Sequence, residues 1–226
     1  MYVFNSSEIC HFTGICNFPD FPLISLFEKF VYINNPEIHK LMKKKYKGMS
    51  RSTIDNDLRQ KKGKENENTI LNTIDGPLQT QVKKSKEYTK DGKTIKILAS
   101  IDAIDQYNEH YEVKYRLKSL SKGIRYYEKP QLLMYCDIFD IPYITLLEYK
   151  GINQTRKHIQ RRENVDHIID SLFEFVERYE SYINNTSEVL QYKKIKSKSD
   201  RERLIKSLLK GDPSALDDDF LALALG

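Results

Sequence analysis

Three residues in the middle of the chain have the types and the spacing of a metal-dependent hydrolytic site. Glu112 and Lys114 are two residues apart on a predicted strand, so their side chains project from the same face. If the preceding connection turns about Tyr107, Asp102 lies directly opposite Glu112. Directly opposed side chains have Cβ atoms about 4.5–5.5 Å apart, which is close enough for two carboxylates to hold one divalent cation.

This set of residues favours the hydrolysis of phosphodiesters. Oxygen ligands with room for water molecules suit Mg²⁺, and Mn²⁺ can substitute for it. A lysine beside such a cation can position an attacking water and offset negative charge on a phosphate. We therefore expect a Mg²⁺ site at Asp102 and Glu112, with Lys114 acting on the water.

Two further motifs accompany these residues. Gln131-Leu-Leu-Met-Tyr135 lies on a predicted helix after the Glu-x-Lys strand, and Gly63-Lys-Glu65-Asn-Glu67 lies on a predicted helix before it. Four motifs thus occur in the order found in a known family. They are a G-x-x-x-E helix, an aspartate, a Glu-x-Lys strand and a Q-x-x-x-Y helix. The chain resembles the PD-(D/E)XK nuclease superfamily, in particular its lambda-exonuclease and RecB-like branch.

The resemblance extends over residues 5 to 185. The opening residues SSEICHFTGI are similar to the serine-rich first helix of phage and viral recombinase nucleases. Ile101 stands before the first aspartate, where the motif that names the family has proline. The resemblance implies a restriction-endonuclease-like α/β core, in which helices flank a mixed central β-sheet.

The resemblance also implies a set of metal ligands. Asp102 and Glu112 would hold the metal together with the main-chain carbonyl of Val113. Glu67 would contribute to a second metal position. Glu65 would take the place of Glu67 if the register of the early helix differs by two residues.

The remaining roles follow from the same resemblance. Lys114 would position the nucleophilic water, while Gln131 and Tyr135, one helical turn apart, would face the site, with Gln131 supporting the catalytic strand or DNA. The implied activity is that of a Mg²⁺-dependent deoxyribonuclease, in particular an exonuclease that resects duplex DNA ends in recombination or repair. Relatives of this kind imply a homo-oligomer. The acidic and apolar residues 217–221 near the C-terminus are compatible either with docking of a single-strand annealing or binding protein or with a frayed terminus.

Other interpretations stay open at this stage. Asp140 with Glu148-Tyr-Lys150 repeats the pattern on the next predicted strand, but we favour the first set because the Q-x-x-x-Y helix follows it. The enzyme can also be an endonuclease that cuts DNA or RNA internally, and therefore accepts closed circles. A third interpretation is an inactive DNA-binding module of the same fold.

Clusters of basic residues indicate where DNA would bind. Residues 40–64 contain ten basic and two acidic side chains, and a second cluster follows at 156–162. These clusters can be ordinary solvated surfaces, but beside a phosphodiesterase site we expect them to contact the DNA backbone, with a strong dependence on salt. The residues predicted to contact DNA are Lys43, Lys44, Lys45, Lys61, Lys62, Tyr135, Arg156, Lys157, Arg161 and Arg162.

The composition argues against several other classes of protein. The chain has 226 residues, 39% of them hydrophobic and 31% charged, as in folded globular proteins. No stretch reaches the roughly 18 uninterrupted apolar residues of a membrane span, and the N-terminus lacks the pattern of a signal peptide. We therefore expect an intracellular protein, in cytoplasm or nucleus. Three cysteines are too few for a disulfide framework, and His11 near Cys10 and Cys16 lacks a fourth zinc ligand.

The hydrophobic pattern predicts the elements that position the site. A capping-box pattern at 5–8 predicts a first helix, Asp91-Gly92 predicts a hairpin turn, and the order is helices, three strands, a helix, a strand and more helix. This order predicts a single domain over residues 1–210 with an acidic and apolar tail at 211–226. The finer predictions are a helical part at 1–62, a catalytic core with a long helix at 63–185, strands at 93–104, 111–117 and 142–149, and helices at 126–140 and 163–184.

Overall fold

The structure is a computed structural model that divides into two compact units. Unit 1 comprises residues 1–45, 87–97 and 166–226, and unit 2 comprises residues 46–86 and 98–165. The residues that the structure describes are 1–14, 23–42, 70–74, 76–116, 119–150 and 154–210. The predicted division after residue 62 and the predicted tail at 211–226 lie outside these ranges.

Helices and strands follow one another in groups along the chain. In order they are β1 (Tyr2–Asn5), a 3₁₀-helix (Ser6–Glu8), α1 (Ile9–Phe12), α2 (Leu23–Asn34), α3 (Pro36–Met42), β2 (Gln79–Lys90), β3 (Lys93–Ile104), β4 (His110–Tyr115), α4 (Lys129–Phe139), β5 (Tyr143–Lys150), β6 (Gln154–Arg161), α5 (Asp166–Asn184), α6 (Thr186–Lys194) and α7 (Lys198–Lys210).

The strands form one mixed sheet. Its order is β1-β3-β4-β5-β6, and β2 also pairs with β3. Strands β3 and β4 are antiparallel, β4 and β5 are parallel, and β5 and β6 are antiparallel. Helix α4 connects the two parallel strands, because a parallel pair needs a crossover rather than a tight turn. The predicted α/β class with a mixed sheet is confirmed.

Strand β4 sorts its side chains by the period of two that extended backbone imposes. Tyr111 and Val113 pack on one face, in a buried cluster that also contains Ala103, Leu147 and Tyr149. The alternate residues of β4 therefore project from the opposite face, where α4 packs against β5 and β6. This alternation is what brings two charged side chains of β4 together beneath α4.

The turn between β2 and β3 has the predicted form. Asp91 and Gly92 have φ angles of 50° and 73°, the left-handed values that a two-residue hairpin turn of this type requires. The two strands it connects are 12 residues long each. The prediction from the Asp-Gly pair is therefore confirmed.

In unit 1 the long helix α5 buries the face that its sequence predicts. Its apolar residues recur at helical spacing and contact aromatic side chains from β1, α1 and α2. Phe175 lies with its ring centroid 5.0 Å from that of Phe12 and 5.2 Å from that of Phe30. The buried residues of the predicted face are Ile168, Ile169, Leu172, Phe175, Val176, Tyr179 and Ile183.

The predicted first helix is present as the 3₁₀-helix and α1 that follow Asn5, although the Asn5 side chain donates to the Glu8 carboxylate (3.0 Å) and makes no cap hydrogen bond. The sequence analysis does not predict two of the strands, β1 at residues 2–5 and β6 at residues 154–161, the second of which contains most of the basic cluster at 156–162. Among the described strands β6 ends the sheet order beside β5, and such an edge strand tolerates charged side chains that hide its pattern.

The cysteines differ from expectation in one respect. Cys10 is disulfide-bonded, although the sequence predicts no disulfide framework. Cys136 is a free, buried thiol. None of the helices within the described ranges has both the length and the apolar character needed to span a bilayer.

Candidate functional site

The register of the β3–β4 hairpin places the two predicted metal ligands opposite each other. Ala103 pairs with Tyr111, and Ile104 pairs with His110. The next opposed position along this register holds Asp102 and Glu112, as the predicted turn about Tyr107 requires. The structure therefore places the two carboxylates where the sequence analysis expects them.

The turn of this hairpin is held by an aspartate side chain. Asp105 Oδ1 accepts hydrogen bonds from the backbone N–H groups of Tyr107 and Glu109, both at 2.9 Å. Asp105 Oδ2 accepts from the Tyr111 hydroxyl at 3.0 Å. Asn108 takes a left-handed conformation with φ 63°, which asparagine tolerates better than most residues. These bonds determine the register that brings the carboxylates together.

At Asp102 a side-chain hydrogen bond replaces a backbone hydrogen bond between β3 and β4. Its Oδ2 accepts the N–H of Val113 at 2.8 Å, so a carboxylate occupies the position of a ladder hydrogen bond. Its Oδ1 accepts from Gln81 Nε2 at 3.1 Å. The N–H and C=O of one residue point to the same side of a strand. The Val113 carbonyl therefore also faces β3, the strand that carries Asp102.

Glu112 is a buried carboxylate with polar partners on two sides. Its side chain is 3% exposed, and its Oε1 accepts from Lys114 Nζ and from Gln131 Nε2, the latter at 3.0 Å. A buried charge is costly unless it is paired and hydrogen-bonded, and these contacts supply both. Lys114 itself is 29% exposed, so its ammonium group reaches from the buried glutamate towards solvent.

Helix α4 connects this site to β3 through a short chain of hydrogen bonds. Gln131 Nε2 also donates to the Tyr135 hydroxyl at 2.6 Å, and that hydroxyl donates to the Ser100 carbonyl at 2.9 Å. The pair predicted from the Q-x-x-x-Y motif therefore packs on the site. Tyr135 is only 2% exposed, and this burial argues against the DNA contact predicted for it.

The donor set suits a hard divalent cation but is incomplete within the described residues. Asp102, Glu112 and the Val113 carbonyl offer oxygen atoms, which Mg²⁺ and Mn²⁺ prefer. No group of three or more His, Cys, Asp or Glu side chains that could hold a metal occurs in the part of the chain that the structure describes. The additional predicted ligand, Glu67, and its alternative Glu65 lie outside those residues.

The second Glu-x-Lys pattern, on β5, forms a different arrangement. Glu148 is fully buried and accepts hydrogen bonds from Arg116 Nε (2.6 Å), from the backbone N–H (2.7 Å) and hydroxyl (2.8 Å) of Ser121, and lies 3.2 Å from His158 Nε2. We call these four residues the Glu148 cluster. Burial alone would raise the pKa of Glu148, but the bonds from Ser121 and Arg116 outweigh it and lower the pKa to about 2.

The aspartate of this second pattern does not join Glu148. Asp140 ends α4 in a left-handed conformation with φ 57°, and its side chain is 84% exposed. It pairs with Arg162, which also lies 3.5 Å from Asp137. The alternative site of Asp140, Glu148 and Lys150 is therefore not assembled.

Arg116 is a residue that the sequence analysis missed. It links two buried carboxylates, because its Nε donates to Glu148 and its second terminal nitrogen donates to Glu128, each at 2.6 Å. The sequence contains a signal for this residue. Glu112, Lys114 and Arg116 are charged residues at every second position along β4 and directly after it. Gln81, which donates to Asp102, had no comparable signal.

The structure places only some of the residues predicted to contact DNA. Lys157 and Arg161 are exposed on β6, and Arg156 on the same strand donates to the Ser121 carbonyl. Arg162 lies directly after β6 and is paired with Asp140. The predicted contacts outside the described residues are Lys43, Lys44, Lys45, Lys61 and Lys62.

His11 has the environment of a core histidine. It is 7% exposed, and burial lowers its pKa to about 4, against a smaller opposing effect of Glu8. Its neighbour Cys10 is disulfide-bonded and is thus unsuited to hold zinc as a thiolate. The interpretation as a packed histidine is favoured.

The fold also occurs in solved structures. It matches the protein SSO0001 with a TM-score of 0.50 at 14% sequence identity, over 78% of this chain and 76% of that one. It is also similar to the alkaline exonuclease LHK-Exo from Laribacter hongkongensis, with a TM-score of 0.48 at 10% identity, over 81% of this chain and 91% of that one. No protein-family model matches the chain, and no curated protein matches it in sequence.

Proposed function

We propose that this protein is a divalent-metal-dependent nuclease that hydrolyses DNA phosphodiester bonds, and that it acts as an exonuclease on duplex ends. The observation that carries the proposal is the placement of Asp102 on β3 close to Glu112 and Lys114 on the neighbouring strand β4. Glu112 pairs with Lys114, whereas Asp102 is bonded by two neutral donors, the Gln81 amide and the Val113 N–H. The three residues therefore comprise two acids and only one base. Such an excess of negative charge suits a cation better than a packed core.

The roles of the residues follow from their contacts. Mg²⁺ bound by Asp102, Glu112 and the Val113 carbonyl would supply a Lewis acid and lower the pKa of a bound water. Lys114 bonds Glu112 and extends to solvent, which suits it to orient the attacking water and to neutralise charge on the phosphate. Gln131 keeps Glu112 in place from α4.

The proposal is tested first with two forms of one DNA sequence. Purified protein with Mg²⁺ receives linear duplex and covalently closed circular duplex, and EDTA serves as the control. Loss of the linear form alone supports the exonuclease. Cutting of the circle supports the endonuclease instead, and activity that persists in EDTA contradicts the metal.

A pair of lysine variants separates catalysis from binding. We expect Lys114→Ala to lower cleavage by about 100-fold or more, since it removes a group that acts on the developing charge, while DNA affinity stays nearly unchanged. Lys150→Ala is the matched control, because Lys150 is the lysine of the second Glu-x-Lys pattern. Equal activity of the two variants would remove Lys114 from the mechanism.

The proposed DNA contacts on β6 are tested by a salt series. Each phosphate contact that is lost should reduce the slope of log affinity against log salt by about one. Lys157→Ala and Arg161→Ala should therefore flatten the slope without changing sequence preference. If the DNA affinity of the unmodified protein hardly changes with salt, the proposed contacts with the DNA phosphates are excluded.

The proposed biological setting is the resection of DNA ends in recombination or repair. It requires that digestion of a linear duplex leaves a single-stranded tail, which a strand-specific end label detects. Light scattering with and without DNA ends tests the proposed homo-oligomer. Co-purification with a single-strand annealing or binding protein tests the proposed partner.

A further inference from the structure

Gln81 has a backbone conformation that its residue type does not explain. It lies within strand β2 and has a φ of 53°. In the described ranges the other residues besides glycine with a positive φ are Asp91, Asn108 and Asp140, which lie in turns or at a helix end. Aspartate and asparagine tolerate this conformation through their short polar side chains, whereas glutamine in a strand is strained by it.

The β2–β3 hairpin accounts for the position of Gln81 beside Asp102. Across this hairpin the hydroxyls of Thr89 and Thr94 lie 3.2 Å apart, and Lys96 pairs with Glu87 at 3.0 Å. Continued along the two strands, the same register sets residue 81 opposite residue 102, and directly opposed residues project from the same face of a sheet.

The side chain of Gln81 reaches the candidate site. Gln81 Nε2 donates to Asp102 Oδ1 at 3.1 Å, while the N–H of Val113 holds Asp102 Oδ2 at 2.8 Å. Both oxygen atoms of the aspartate are thus oriented by neutral donors from two different strands. A neutral donor orients a carboxylate without cancelling its charge, as the residues that support metal ligands generally do.

We propose that Gln81 is a positioning residue of the metal site, and that its left-handed backbone is kept because it holds the side-chain amide on Asp102. This inference rests on the proposed function, since it assumes that Asp102 binds a divalent cation. Gln81 acts through Asp102 and need not touch the substrate. The strained backbone therefore trades some stability of β2 for a fixed orientation of one proposed metal ligand.

The test uses Mn²⁺ alone as the probe, with the full chain and without DNA. Mn²⁺ affinity is followed by the paramagnetic resonance signal of the free ion for the unmodified protein, Gln81→Gly, Gln81→Ala and the control Gln79→Ala on the same strand. We expect about 10-fold weaker binding in both Gln81 variants and no change in the control.

Thermal unfolding of the same variants separates the backbone from the side chain. Gln81→Gly should unfold at the same or a higher temperature than the unmodified protein, because glycine adopts positive φ at no steric cost. It should nevertheless bind Mn²⁺ more weakly. In cleavage assays, the Mg²⁺ concentration for half-maximal rate should rise while KM for DNA stays constant.

The outcomes distinguish this inference from the proposed function. If the unmodified protein binds Mn²⁺ and Gln81→Gly binds it equally well, Gln81 has only a structural role and the inference is wrong. If the unmodified protein binds no Mn²⁺, the proposed metal site fails and the inference fails with it. Weaker Mn²⁺ binding in a stable Gln81→Gly variant supports the inference, even if the substrate proves to be other than DNA.

Discussion

Strands β4 and β5 run side by side with the same Glu-x-Lys pattern, yet their glutamates have different surroundings. Glu112 contacts a lysine and an amide and has an aspartate at the opposed position of β3. Glu148, the residue of β5 that pairs with Lys114, is enclosed by Arg116, Ser121 and His158. The pattern is the same, but the segments that pack over it differ.

The difference lies in how the charge of each glutamate is balanced. In the Glu148 cluster the donors from Arg116 and Ser121 satisfy the carboxylate, and the low pKa of Glu148 is the result. Near Glu112, which pairs with Lys114, a second carboxylate, Asp102, is bonded by the neutral donors Gln81 and the Val113 N–H. A satisfied carboxylate stabilises the fold, whereas a pair of acids with excess negative charge is suited to bind a cation.

The largest effect should come from neutralising Glu112. If the proposed function is right, we expect Glu112→Gln to lower Mg²⁺-dependent cleavage by more than about 100-fold, because it alters a proposed metal ligand itself rather than its support. The free energy of unfolding should change by about 1 kcal/mol or less, since Gln131 can still bond the amide. Cleavage rates and urea unfolding measure the two effects. An active Glu112→Gln variant would place the chemistry elsewhere.

The same substitution in the Glu148 cluster should affect stability instead. Glu148→Gln leaves Arg116 with one carboxylate fewer in a buried position, which should lower the free energy of unfolding by about 3 kcal/mol. Glu37→Gln, which breaks an exposed pair with Lys40, is the control and should cost less than about 1 kcal/mol. Urea unfolding measures both. Loss of cleavage activity in a folded Glu148→Gln protein would contradict the structural role assigned to Glu148.

The pH dependence of stability should report on Glu148 as well. Its folded pKa of about 2 lies below the ordinary value of 4.5, so its contribution is present above pH 4.5 and disappears as the pH falls towards 2. Urea unfolding at a series of pH values should show this loss in the unmodified protein. The slope should be smaller in Glu148→Gln, and equal slopes would show that another group is responsible.

The smallest effect should come from the hydroxyl that ties α4 to β3. Tyr135→Phe removes the bonds from Gln131 and to the Ser100 carbonyl, and should cost about 1 kcal/mol of unfolding free energy. Cleavage should fall only modestly, because Gln131 keeps its bond to Glu112. Thermal unfolding and cleavage rates test this. A loss as large as that of Glu112→Gln would make Tyr135 part of the chemistry.

Much of the geometry around Asp102 could be predicted because it depends on local rules. The period of two places Glu112 and Lys114 on one face, and a turn centred on Tyr107 determines what lies opposite them. Asp105 supports that turn with side-chain bonds to nearby backbone, which are typical of its residue type. The α/β class followed from the order of the elements in the same way.

The parts that escaped prediction depend on long-range packing. Strand β6 could not be recognised, because its charged residues are compatible with an edge strand only once a neighbour such as β5 is known. Gln81 could not be placed, since glutamine gives no sign of a left-handed conformation. The environment of Glu148 depends on residues 116, 121 and 158, which come from three separate segments.

The bond between Asp102 and the Val113 N–H has a consequence for spectroscopy. The amide proton of Val113 is protected from exchange with solvent by a carboxylate instead of by the carbonyl of a neighbouring strand. Its chemical shift and exchange rate therefore depend on the surroundings of the Asp102 carboxylate. If the proposed cation binds there, a single nuclear magnetic resonance signal from the interior of the sheet would follow its uptake, without any substrate being present.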